Sequence, residues 1–165
     1  MSDVISGETS ILNRCTLANE HIVVPACETH AGSNGVGIAF AIDNQSLNRK
    51  PDFLYTLLVP DRARTLFPCF DQPDMKANYT LSLTIPEAWV AVSNTVVCSE
   101  EVDPATATKR VSFAPTEPLS TYLFSFVAGK LYSTTYDDGA HTFTAYYRET
   151  EPKRLAQLET IFSEV

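Results

Sequence analysis

Basic residues, histidines and cysteines are all scarce in this chain. Twelve Lys and Arg stand against twenty Asp and Glu in 165 residues, a formal net charge of −8. That balance argues against a nucleic-acid or anionic-membrane partner, because phosphate recognition needs a basic surface. It suits solubility and cationic ligands such as peptide amino termini. The three histidines, His21, His30 and His141, never come closer than nine residues, so no zincin pair four apart on a helix exists. The four cysteines, Cys15, Cys27, Cys69 and Cys98, show no C-x-x-C spacing and do not demand disulfides. No run of about 18 apolar residues is present to span a membrane, and no signal peptide is visible. There is no G-x-S-x-G elbow and no complete phosphate-binding loop. Asn34-Gly35-Val36-Gly37 is only a turn leading into a strand.

What remains is an ordinary globular composition, 44% hydrophobic and 19% charged, about one domain long. Residues 1–20 are weakly patterned, with Ile11, Leu12 and Leu17 as candidates for a short strand. Residues 21–24 form a β-branched run. Ala31, Gly32, Ser33, Asn34 and Gly35 make a turn. Residues 36–42 alternate strictly, with Val36, Ile38, Phe40 and Ile42 on one face, the mark of a half-buried strand. Residues 43–52 are polar and break the pattern. Further strands are expected at 53–59, 78–85, 89–97, 110–113 and 122–127, with a charged connection over 100–108. The pair 131–136 and 141–147, joined by Asp137-Asp138-Gly139, is a hairpin signal. Leu155, Leu158, Ile161, Phe162 and Val165 share one face of a helix that Pro152 opens, with Thr150 or Glu151 as its cap. Short strands at ~8–12-residue spacing predict an all-β sandwich or saddle of mostly antiparallel strands, closed by that helix.

The densest stretch is residues 60–94. Arg62, Arg64, Asp71, Asp74 and Lys76 surround Phe67, Cys69 and Phe70 between prolines 68 and 73. Proline removes ladder donors, so an ordered loop is expected there. Asp71 and Asp74 are the one close carboxylate pair considered for acid–base work, and as turn residues they need no such role. Arg64 is expected to be mostly buried and bonded to carboxylate or carbonyl oxygens, pinning the loop through Asp71. Cys69 has no nearby histidine to activate it and reads as a small buried hydrophobe. Asn44-Gln45-Ser46 and Asn78-Tyr79-Thr80 fit the glycosylation pattern by chance.

The segment Ala63-Arg64-Thr65-Leu66-Phe67-Pro68-Cys69-Phe70-Asp71-Gln72-Pro73-Asp74-Met75-Lys76-Ala77 resembles the A-R-x-x-F-P-C-F-D-[EQ]-P-x-x-K-A signature of the aminopeptidase N family of zinc metallopeptidases. Ala91-Val92-Ser93-Asn94 is similar to the turn that follows it in that family. Pro118-Leu119-Ser120-Thr121-Tyr122-Leu123-Phe124-Ser125-Phe126-Val127-Ala128-Gly129 is similar to its P-M-S-T-Y-L-x-x-F-x-x-G strand. Weaker echoes at Asn19-Glu20-His21-Ile22-Val23-Val24-Pro25 and Ser46-Leu47-Asn48-Arg49 extend the likeness over roughly residues 19–131.

The resemblance implies the amino-terminal β-domain, residues 1–149 with reduced first strands. Residues 150–165 would be the first helix of a catalytic domain outside this sequence. Zinc is implied for that catalytic domain, through H-E-x-x-H and a later Glu. Neither that motif nor the family's G-x-M-E-N strand occurs here, so no catalytic or metal residue is carried over. The implied partners are the chain's own catalytic domain and peptide substrates at the cleft edge. One family residue of the β-domain, a Gln or Glu ten positions before the Cys of F-P-C, holds the substrate amine. That position here is Val59, which cannot accept a hydrogen bond from an ammonium group. Arg64, Asp71 and Lys76 are carried over as structural loop residues. A self-standing β-sandwich binding protein or glycan, without peptidase activity, is the alternative.

Overall fold

The computed structural model describes residues 3–6, 9–11, 13–19, 21–32, 34, 36–39 and 45–163. Leu12, Glu20, Ser33, Gly35, Phe40, Ile42, Asn44 and Val165, which figured in the sequence reading, lie outside them. In chain order the strands are β1 Asp3–Ser6, β2 Thr9–Ser10, β3 Thr16–Ala18, β4 His21–Val23, β5 Val36–Ala39, β6 Leu47–Lys50, β7 Phe53–Thr56, β8 Ser82–Pro86, β9 Val90–Ser93, β10 Val97–Asp103, β11 Thr108–Phe113, β12 Phe126–Gly129, β13 Tyr132–Asp137 and β14 Thr142–Tyr147. Helix α1 spans Pro152–Ser163. Each strand pairing among the described residues is antiparallel, so the all-β sandwich with a terminal helix stands.

Two sheets build the centre. One has the order β6-β7-β12-β9 and the other β10-β11-β8. Between them lie Ile85, Ala91, Val111, Phe113 and Ala128, with Val111 and Ala128 wholly buried. The register sets Ala128 between Leu54 of β7 and Ala91 of β9. Two small residues side by side leave room for the larger Val111 and Phe113 from the facing sheet, which is how two β faces interdigitate. A second core cluster, Leu47, Leu58, Ala63, Leu66 and Phe124, closes one end; Leu54 and Leu81 pack against both clusters.

Several boundaries differ from the sequence reading, and polar side chains account for most of them. The polar segment 43–52 holds strand β6, an edge strand that buries Leu47 and leaves Arg49 and Lys50 exposed. The run expected over 89–97 breaks at Asn94, and the charged connection beyond it is strand β10. All seven of its residues are exposed. An edge strand wet on both sides carries no alternation to read. Its pairing with β11 is supported by the Lys109–Glu100 ion pair at 2.9 Å. The run 122–127 forms a strand only from Phe126. Before it, the Ser125 N–H donates to Asn94 Oδ1 and Asn94 Nδ2 donates to the Leu123 carbonyl, at 2.8 and 3.0 Å. These bonds hold Thr121–Leu123 in a short 3-10 turn. The ladder of β8 starts late, at Ser82, because residues 77–81 run beside 113–119, where Pro115 and Pro118 supply no N–H.

The expected hairpin forms as β13–β14. Asp138 Oδ1 accepts the N–H groups of Ala140 and His141 at 2.8 and 2.7 Å, which holds its carboxyl below the usual range. Gly139 takes a φ of +88°, the left-handed region that favours glycine. Just past β14, Arg148 lies 3.9 Å above the Phe53 ring of β7. Helix α1 begins where the Glu151 carbonyl accepts the N–H groups of Arg154 and Leu155. Leu155 is half-buried and Ile161 exposed.

Gly129 gives the tightest backbone constraint. It pairs with Phe53, and a Cβ there would sit 2.4 Å from Phe53 Cβ and 2.7 Å from the Asp52 carbonyl oxygen. Gly129→Ala therefore forces β12 and β7 apart. Urea unfolding is expected to show a loss of about 2–3 kcal/mol, the scale of overpacking in a tight interior.

Candidate functional site

The loop from Val59 to Leu81 is built on one acid. Asp71 Oδ2 accepts the backbone N–H of Arg64 at 3.1 Å, and Asp71 Oδ1 accepts the Thr121 hydroxyl at 2.5 Å. One carboxylate thereby joins the 3-10 turn Ala63–Thr65 to the turn Thr121–Leu123. Ser120 donates its hydroxyl to the Pro73 carbonyl, and Ala77 exchanges two backbone bonds with Leu119 at 3.1 and 3.0 Å. The Thr65 hydroxyl lies 2.8 Å from both the Arg62 carbonyl and Ser46 Oγ, tying the turn to the approach to β6.

Arg64 and Asp71 do meet, but through the Arg64 main chain. The Arg64 guanidinium is about one-third exposed and reaches Asp61 at 3.5 Å. A pair of that kind at the surface contributes ~0–1 kcal/mol, well below the worth of a buried ionic pin. Asp74 and Lys76 are exposed. Asp71 and Asp74 do not act as a pair, since both Asp71 oxygens are taken up in holding the loop. Val59 is 53% exposed and lies between buried Leu58 and Pro60.

Beneath the loop sits an aromatic cluster. Tyr79 stacks on Phe124 with centroids 4.5 Å apart, and Phe67 meets both edge-on at 6.0 and 5.6 Å. Burial pushes the Tyr79 hydroxyl pKa up. Cys69 is half-buried beside these rings, and desolvation, with the Asp71 charge adding to it, pushes its thiol to about 11. The thiolate is therefore scarce at neutral pH, as a packed, inert cysteine requires.

Over the cluster opens a groove of about 570 Å³, running from Leu66 to Leu81 along one side and to Thr121, Phe124 and Phe126 on the other. Phe70 and Met75 at its lip are 66% and 47% exposed. Its lining is apolar apart from Tyr79, Thr80, Thr121 and the single charge of Lys76. Among the described residues no group of three His, Cys, Asp or Glu converges as a metal site would need. The described residues therefore offer no ligand set for zinc. The site offers apolar recognition, its few polar groups set around the rings.

Residues 34–123 match the family described as Peptidase M1 N-terminal domain. The chain belongs to this family. Aminopeptidase N of Acetobacter pasteurianus is 46% identical over 71 residues, which is 43% of this chain and 20% of that protein. Glutamyl aminopeptidase of Homo sapiens is 37% identical over 99 residues, 59% of this chain and 10% of that protein. Aminopeptidase M1-A of rice (Oryza sativa subsp. japonica) is 38% identical over 80 residues, covering 48% and 9%. The chain therefore spans one fifth or less of these relatives. The M1 N-terminal domain match contains the whole Asp71-centred loop. The groove is what the sequence reading missed; its only trace was Phe70 and Met75, two large apolar residues in a proline-punctuated loop.

Asp71→Ala strands the Arg64 N–H and the Thr121 hydroxyl, and thermal and urea melts should show a loss of about 2–3 kcal/mol. Iodoacetamide at pH 8, followed by peptide mapping, should label exposed Cys98 well before Cys69. Equal labelling rates would contradict the raised thiol pKa.

Proposed function

We propose that this chain is the non-catalytic amino-terminal β-domain of a zinc-dependent aminopeptidase. It covers one side of the active-site cleft that removes amino-terminal residues from peptides. The observation that carries this reading is the M1 N-terminal domain match over residues 34–123, which takes in the loop pinned by Asp71. The relatives' printed names, aminopeptidase N and glutamyl aminopeptidase, point the same way. On this reading residues 1–149 are the β-domain and residues 150–165, most of them in α1, open a catalytic domain that carries the zinc. Peptide substrates pass the edge formed by Val59 and the loop after it.

The domain's role is steric and positional. Asp71 holds the 63–81 loop rigid, and a rigid edge restricts what enters a cleft beside it. With no metal-ligand cluster among its described residues and no H-E-x-x-H in its sequence, the chain has no means of activating a water. Val59 presents two methyl groups where the resemblance places an amine-holding Gln or Glu. Grip on the substrate ammonium then falls to carboxylates elsewhere in the parent enzyme.

The test is hydrolysis of aminoacyl-anilides with zinc present. The 165-residue chain should stay at the buffer background, while the parent polypeptide turns over. Turnover by the short chain, or none by the parent, would defeat the reading. In the active parent, Val59→Glu should lower KM for substrates with a free amino terminus by about tenfold, the worth of one charge-assisted bond of ~1.5 kcal/mol. N-acetylated analogues, which carry no ammonium, should gain nothing.

A further inference from the structure

We infer that Asn34 is a site of spontaneous modification, at which the Gly35 nitrogen closes on the Asn34 side-chain carbonyl and the product releases the loop leading into β5. Water is the only reagent, and the peptidase reading neither supplies nor requires the step.

Sequence and structure point to this position separately. Among the asparagines of the chain, Asn34 alone precedes a glycine. Glycine has no Cβ to crowd its own nitrogen, so its amide reaches the preceding side-chain carbonyl with the least hindrance. Asn34 is exposed, as are His30, Ala31 and Gly32. A Cβ placed on Gly32 would meet nothing within 4 Å, so water has open access to the loop. The Gly35 nitrogen attacks Asn34 Cγ, forming an N–C bond and giving up its proton to solvent base. The Cγ–Nδ2 bond breaks, ammonia leaves, and a five-membered succinimide remains. Water then opens the ring at either carbonyl. One opening gives aspartate at position 34, and the other gives its isomer, in which the backbone runs through the side-chain carbon.

The same amide is the hub of its loop. Asn34 Nδ2 donates to the His30 and Gly32 carbonyls at 2.8 and 3.1 Å, and Asn34 Oδ1 accepts the His30 N–H at 3.0 Å. These three bonds hold the carbonyl carbon away from free rotation, so the loop must open before attack geometry is reached. Conversion removes both donors and sets a carboxylate against two carbonyl oxygens, a repulsive contact where two bonds stood. The isomer also lengthens the backbone by one carbon, just before Val36, where β5 begins its pairing with Ser6 of β1. The Asp138–Gly139 turn offers the contrast. There the Gly139 N–H is donated to Asp137 Oδ1 at 2.8 Å. The Asp138 carboxyl, held below the usual range by the His141 and Ala140 N–H groups, stays ionised and is a poor electrophile.

The test incubates the 165-residue chain in mildly alkaline buffer, folded and in concentrated urea, and follows every asparagine by peptide mass mapping. Asn34 should convert ahead of the others in both states, and ~10-fold more slowly in the folded chain. Gly35→Ala should slow conversion at least ~10-fold in urea, where the fold plays no part. The converted chain, separated by its additional negative charge, should then be compared with the original by amide hydrogen exchange. The His30 amide and those of residues 36–39 should exchange at least ~10-fold faster after conversion. Asn34→Asp, which carries the carboxylate without the isomer, should reproduce the effect at His30. Conversion of Asn34 no faster than that of the other asparagines overturns the site. Equal rates in the folded and unfolded chain overturn the restraint by the three bonds, and unchanged exchange after conversion overturns the release of the loop.

Discussion

The Asp71 carboxylate reaches the Thr121 hydroxyl, 50 residues along the chain, with one oxygen and holds the Arg64 amide with the other. Bonds to a carboxylate are worth roughly twice neutral ones, and here they replace the ladder that prolines 68 and 73 disallow. Without them the loop would be left with the Ser120–Pro73 and Thr65–Ser46 bonds and backbone bridges such as Ala77–Leu119. With them, Phe67 and Tyr79 are pressed onto Phe124, Cys69 is partly desolvated, and the groove keeps its walls. The inert thiol and the exposed lip at Phe70 both follow from that one anchor.

The sandwich beneath is arranged so that this anchor has somewhere to attach. Ala91, Ala128 and Gly129 keep the centre of the β6-β7-β12-β9 sheet thin, which lets Val111 and Phe113 close from the other side. Asn94 then stops the preceding strand and fixes the Thr121–Leu123 turn by bonding Leu123 and Ser125. That turn presents Thr121 to Asp71. The polar groups that interrupt the strands are therefore the ones that place the loop.

On the proposed reading the domain is a rigid border beside a cleft. Among the described residues the acids are engaged in structure or lie open to solvent, the histidines are scattered, and half-buried Cys69 is held protonated. These properties suit a part that shapes access to chemistry performed elsewhere. Membership of the M1 N-terminal domain family agrees with that division of labour.

Much of this was legible from the residues in order. Alternation identified the all-β class, Asp-Asp-Gly the β13–β14 hairpin, and the period change after Pro152 the helix, because each depends on neighbours within a few positions. The F-P-C-F-D segment pointed to the family. Edge strands β6 and β10 were illegible, since β6 buries Leu47 at one end and β10 is wet on both faces, so neither alternates. The run at 122–127 misled for the opposite reason: its apolar residues suit a strand, and only contacts with Asn94 and Asp71 bend it into a turn. The sequence by itself determined the fold class, the family and the lack of catalytic motifs, all of which rest on local pattern. Only the tertiary structure decided that Asp71 grips the Arg64 backbone N–H, and that Phe70 and Met75 face outward over a groove. Those outcomes depend on which distant segments meet, and no spacing along the chain encodes that.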